Sequence, residues 1–104
     1  MDEYRYMIEA MEAVPEGDGT LLSNSLMVAT SGVSLGRTHA LDEFPCVIAG
    51  SGCGRIKQDM HYRSPTRENA SSVMLSLIRG MGILRPDWGT DDARVTDGLS
   101  AIEV

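Results

Sequence analysis

Two apolar runs decide the fold: Leu26-Met27-Val28-Ala29-Thr30 and Phe44-Pro45-Cys46-Val47-Ile48-Ala49. The first follows polar Ser23-Asn24-Ser25 and is continuously apolar rather than alternating, the pattern of a strand covered on both faces in a parallel sheet. A buried helical turn is the rival reading, but Ser31-Gly32 arrives too soon for a helix. In the second run Pro45 has no N–H to give a ladder, which puts it at the strand's start or on an edge. Gly50-Ser51-Gly52-Cys53-Gly54 closes that run, and Arg55-Ile56-Lys57 suits a brief return strand. Two buried strands are too few for a parallel sheet with both faces covered. The expectation is an α/β unit completed by strands of a parent chain or by a second copy: a fragment of a larger domain.

Outward from these runs, residues 2–14 have helical spacing. Tyr4, Met7 or Ile8, Met11 and Val14 recur every three or four residues, with Asp2, Glu3, Arg5, Glu9 and Glu12 on the other faces. Asp2 and Glu3 fall in the first turn, where the helix dipole favours negative charge. Pro15 and Gly17 end this helix, and residues 16–19 read as a solvated turn. Residues 31–43 are polar and contain glycine, as a loop does. Ser64, or Thr66, caps a second helix with Pro65 in its first turn, running to about Met81. Val73, Met74, Leu77, Ile78 and Met81 give it a broad apolar stripe, and Gly80 and Gly82 stop it. From Leu84 the chain is irregular, with a turn-rich loop over 86–92 and last residues that form a short strand or fray.

The 104 residues suit one domain. A chain this short buries about 60–70% of its unfolded surface, so its core is thin. Fifteen acidic side chains outnumber nine scattered basic ones, for a net charge of -6. Phosphate backbones and anionic membranes are held by concentrated Lys and Arg, so neither nucleic acid nor a membrane surface is an expected partner. The polar start, Met-Asp-Glu-Tyr-Arg-Tyr, carries no signal-peptide pattern, and no run of about 18 apolar residues spans a membrane. Cys46 lies in an apolar run and reads as a small buried hydrophobe; with Cys53 it makes neither a disulfide framework nor a metal motif.

The stretch Glu16-Gly17-Asp18-Gly19-Thr20-Leu21-Leu22-Ser23-Asn24-Ser25-Leu26 resembles the lead-in of a family of uncharacterised bacterial proteins. Gly36-Arg37-Thr38-His39-Ala40-Leu41-Asp42-Glu43-Phe44-Pro45 and the glycine-rich run from Ala49 through Arg63 resemble it too. So do Val73-Met74-Leu75-Ser76-Leu77-Ile78 and Trp88-Gly89-Thr90-Asp91-Asp92, so that roughly residues 10–104 are covered. That family is a domain of unknown function grouped with the alkaline-phosphatase and sulfatase-like superfamily. Its members are several times longer, and this region is their C-terminal end. The resemblance implies a three-layer α/β/α sandwich with a mostly parallel sheet, of which this chain is the closing portion, and full-length relatives that are exported. Enzymes of the superfamily use a metal-activated Ser, Thr or formylglycine nucleophile in an N-terminal part that this chain lacks. Later metal ligands come from an Asp-His pair after a central strand. By position the loop after Leu26–Thr30 matches that region, with His39 at the recurring His; Gly32 stands where an acidic residue is common.

His39 and Asp42 are thus the candidate metal ligands, with a divalent ion such as zinc as the implied cofactor. Imidazole is the commonest ligand, and a nearby carboxylate fixes its tautomer. The plainer alternative is a His that bonds a backbone carbonyl and orders the loop. Ser31 and Arg37 of the same loop, with His61 beyond the glycine turn, are candidate ligand-binding residues; His61 reads equally as a half-buried structural side chain. Ser31, Ser34 and Ser51 lie in no Gly-x-Ser-x-Gly elbow. Residues 50–57 lack the Gly-Lys-Ser/Thr ending of a phosphate loop, and a tight turn explains their glycines. Seven Met residues suit adaptable core filling. The leading functional expectation is a non-catalytic fragment stabilised by self-association. The alternatives are part of a metal-dependent phosphate or sulfate ester hydrolase with His39 as one ligand, and a small module whose loop 31–43 holds a ligand.

Overall fold

A computed structural model describes residues 1–39 and 42–104. In chain order these form α1 (Asp2–Glu12), β1 (Pro15–Glu16), β2 (Gly19–Thr20), β3 (Met27–Thr30), β4 (Cys46–Ala49), α2 (Ser71–Gly80) and a 3-10 turn at Asp91–Ala93. The predicted first helix forms and is two residues shorter than its apolar spacing. It buries no residue completely: Tyr4, Ile8 and Met11 are half-buried, while Met7 and Val14 face solvent. Residues 16–19, expected as an open turn, tighten into a hairpin in which Pro15 pairs with Thr20 and Glu16 with Gly19. Gly17 opens its two-residue loop at φ 57, a conformation that costs glycine nothing.

The expected partial three-layer sandwich with a mostly parallel sheet is not what forms. Strands β3 and β4 are antiparallel, with Met27 opposite Ala49 and Thr30 opposite Cys46, and the described residues hold two separate two-stranded sheets. The connection explains the difference. A parallel pair needs a crossover, usually a helix, to carry the chain back to the starting end. The described residues of 31–45 include no helix, and His39 (φ 53) and Glu43 (φ 54) take left-handed conformations suited to turning the chain back. Composition misled for a second reason: the strands are not covered on both faces. Burial alternates along β3, and Val28 and Val47 are exposed.

Helix α2 starts later than Ser64-Pro65-Thr66 suggests. Ser64 Oγ does accept the Glu68 N–H at 3.2 Å, but Arg67 sits at φ 57 and stops the chain from winding on. The helix begins after Asn69, whose Oδ1 accepts the Ser71 N–H at 3.0 Å. Leu75, Ser76, Leu77 and Gly80 line its buried side. Gly80 is needed there, because a Cβ would press into Ile56 and Leu26.

The core is small: Ile56, Leu77, Leu99 and Ile102 form the buried cluster, flanked by half-buried Leu26, Ile48, Tyr62, Val73 and Met74. Two of its four members come from the last six residues, so the tail closes the core rather than fraying. The expected return strand at Arg55-Ile56-Lys57 appears as one antiparallel bridge, Ile56 to Glu103. The Lys57 N–H donates to the Ile102 carbonyl (2.8 Å) and the Val104 N–H to the Arg55 carbonyl (3.0 Å). The turn-rich segment also has order: Trp88 and Val95 exchange backbone hydrogen bonds, and Arg94 pairs with Asp87 at 2.7 Å.

Size shows how thin this packing is. A self-sufficient chain of this mass exposes about 5,700 Å² and has a radius of gyration of about 13 Å. Here the exposed surface is 7408 Å² and the radius 14.5 Å.

Candidate functional site

The loop leaving β3 carries most of the candidate residues. Ser31 Oγ accepts the Val33 N–H at 3.4 Å, a local turn. Ser31, Arg37, His39 and Asp42 are all exposed, while Ala40 and Leu41, which the loop 31–43 and the family-like stretch include, lie outside the described residues. The base of the loop is tied down by the Thr30 hydroxyl, which donates to the Pro45 carbonyl (2.7 Å), and by an ion pair between the Glu43 carboxylate and the Arg63 guanidinium. That pair brings the His61 segment beside the loop base. His61 itself is exposed, not half-buried as the structural alternative had it.

Tyr62 turns the next stretch inward by donating its hydroxyl to Glu68 Oε1 at 3.3 Å. The Glu68 carboxyl is held below its usual range, first by its own backbone N–H, then by Thr66 and Tyr62. These residues satisfy one another.

A metal centre needs three or four donors converging on one point. Among the described residues no group of three or more His, Cys, Asp and Glu side chains does so. His39 and Asp42 therefore stand as an exposed loop pair.

The glycine turn is built as a clamp. Ser51 Oγ donates to the Ser23 carbonyl (2.8 Å) and accepts the Gly54 N–H (3.0 Å), which occupies it as a nucleophile. The Gly52 and Cys53 N–H groups, which a phosphate loop would present to its ligand, donate instead to the Ser25 and Ser23 carbonyls. Gly50 permits this closeness: its φ is 90, and a Cβ would run into the Ser25 and Leu22 carbonyls. Beside the turn lies an open cleft of about 310 Å³ walled by Arg55, Ile56, Arg79, Gly80 and Glu103. Its arginines are committed to structure. Arg55 Nη1 reaches the Gly52 and Gly80 carbonyls, and Arg79 ties down those of Arg85, Pro86 and Thr96. Cys46 is half-buried, Cys53 is exposed, and both are free thiols.

One arrangement that sequence reasoning missed is the buried Ser76, 1% exposed. Its hydroxyl donates to Glu103 Oε1 at 2.5 Å and accepts the Leu99 N–H at 2.7 Å, fastening the tail to α2. Its position inside an apolar stripe was the available signal: a serine there needs a buried partner.

What the molecule presents in quantity is uncovered apolar surface. Tyr6 (72% exposed) and Met7 lie on the outer side of α1, and Val28 and Val47 on the sheet. Beyond α2 come Met81, Ile83 (60%) and Leu84 (92%), then Trp88, with the Arg85 guanidinium 5.4 Å from its ring centre. Scattered apolar residues are ordinary on a surface, but runs of them mark contact sites. No helix among the described residues is long and apolar enough to cross a membrane. No protein-family model matches the chain, nor does any curated protein or solved structure.

Proposed function

We propose that this chain is a non-catalytic unit that works by association, with self-association covering surface that its own residues leave bare. The observation that carries the reading is the excess of exposed area: 7408 Å² against about 5,700 Å² for a self-sufficient chain of this mass. The difference of about 1,700 Å² exceeds the roughly 800 Å² that one partner contributes to a standard interface. It lies within what a subunit of an obligate dimer covers. Both edges of the β3–β4 pair lack a further strand among the described residues, and open edges invite pairing. The stretches resembling the C-terminal end of a longer bacterial family support the same reading, because in such proteins the rest of the chain is a second source of cover.

Two measurements on the purified chain test this. Light scattering is expected to give a mass above that of one chain, with a broad melt when the chain is diluted to a monomer. A monomer with a sharp, cooperative melt overturns the proposal. Zinc titration is expected to leave the melting temperature of wild type and of His39→Ala alike; a zinc-dependent rise lost in the variant restores the hydrolase reading.

A further inference from the structure

Helix α1 has two apolar stripes, and only one is used. Tyr4, Ile8 and Met11 face the body of the molecule, where the Tyr4 hydroxyl lies 3.1 Å from the Met27 and Val47 carbonyls. Tyr6, Met7 and Ala10, following Glu3 at helical spacing, point outward and are exposed. The helix is also acidic, with Asp2, Glu3, Glu9 and Glu12 against Arg5. Two copies of α1 laid against each other would repel.

The second bare strip has the opposite charge. Residues 79–86 contain Arg79 and Arg85 and no carboxylate, together with exposed Met81, Ile83 and Leu84. Arg85 donates Nε–H to the Asp87 carbonyl, and its guanidinium lies over the Trp88 ring at the exposed surface.

We infer that two copies of the chain associate about a two-fold axis, seating the outer stripe of α1 from each on the 79–86 strip of the other. The inference rests on the association reading above and names its partner and its faces. Two observations carry it: exposed apolar residues on both strips, and charge of opposite sign around them. A two-fold exchange buries both strips at once and closes the assembly, whereas a one-way contact leaves one strip free to add further copies.

Sedimentation velocity on the full chain tests the pairing with Glu3→Lys, Arg85→Glu, their combination, and Leu84→Asp. All three positions are exposed; Arg85→Glu also loses the contacts to the Asp87 carbonyl and the Trp88 ring, so circular dichroism of each variant checks that the single chain still folds. Each single charge reversal is expected to weaken the dimer about three- to tenfold, and the double swap to return it to within about twofold. Leu84→Asp is expected to weaken it more than about thirtyfold. A dimer indifferent to all four changes overturns this docking and leaves the association reading with a different face. A wild-type monomer with a broad melt overturns the second copy as partner but not the need for one. A wild-type monomer that melts sharply overturns both.

Discussion

Replacing Ser76 by Ala removes one oxygen from the point where the tail meets α2. Two hydrogen bonds go with it: the 2.5 Å donation to Glu103 Oε1 and the 2.7 Å bond accepted from the Leu99 N–H. Bonds to a charged acceptor contribute about 1.5–3 kcal/mol, and an orphaned buried donor costs about 1–3 kcal/mol. Glu103 is only half-buried and regains some water, so the two losses do not add in full. A cost of about 3 kcal/mol is expected, without a cavity to speak of. For a chain of this size that lowers the melting temperature by about 10–20 °C. Thermal unfolding followed by circular dichroism at one fixed protomer concentration measures it. Glu103→Gln, which keeps the acceptor and drops its charge, should lose about half as much. A Ser76→Ala chain within about 0.5 kcal/mol of wild type would refute the reasoning, because the tail would then be held by something other than this hydroxyl.

Three further outcomes are expected. Leu75→Ala, at a position that is 0% exposed, should cost about 2–5 kcal/mol and shift the urea midpoint accordingly, a large part of the total stability of so small a chain. Gly50→Ala forces a side chain into the left-handed region and against the Ser25 carbonyl, so a loss of about 1–3 kcal/mol by the same assay is expected. Burial raises the Tyr4 phenol above its usual 10.0, offset in part by a backbone hydrogen bond from Ala49 that favours the phenolate. Its neutral form is therefore favoured by folding: that contribution is complete below about pH 10 and is lost as pH climbs through the raised folded value. Alkaline melts of wild type should show this loss and those of Tyr4→Phe should lack it.

Local features were legible in the sequence where local physics governs them. The spacing of Tyr4, Ile8 and Met11 gave α1, and the apolar stripe from Val73 to Ile78 gave α2. The strand at Met27–Thr30 was visible, but its pairing was not. An unbroken apolar run suits either a strand buried on both faces or one left partly bare, and only the path of the 31–45 loop decides between them. The start of α2 was misread because Arg67 takes a left-handed conformation that no composition rule announces. The core's dependence on Leu99 and Ile102 was hidden for a related reason: a long-range contact leaves no periodic trace in a six-residue tail. At the candidate loop, residue types raised a metal site whose remaining ligands were expected from a parent chain. Metal chemistry is a property of convergence, which residue types cannot show, and the described residues hold no converging group of three or more His, Cys, Asp and Glu side chains.

Whether the bare surface is covered by a second copy is read directly by the melting temperature as a function of protomer concentration. If folding and pairing are coupled, a hundredfold rise in concentration should lift the midpoint by roughly 5–10 °C. A midpoint that stays flat over that range, in a transition sharp enough for one cooperative chain, would contradict it.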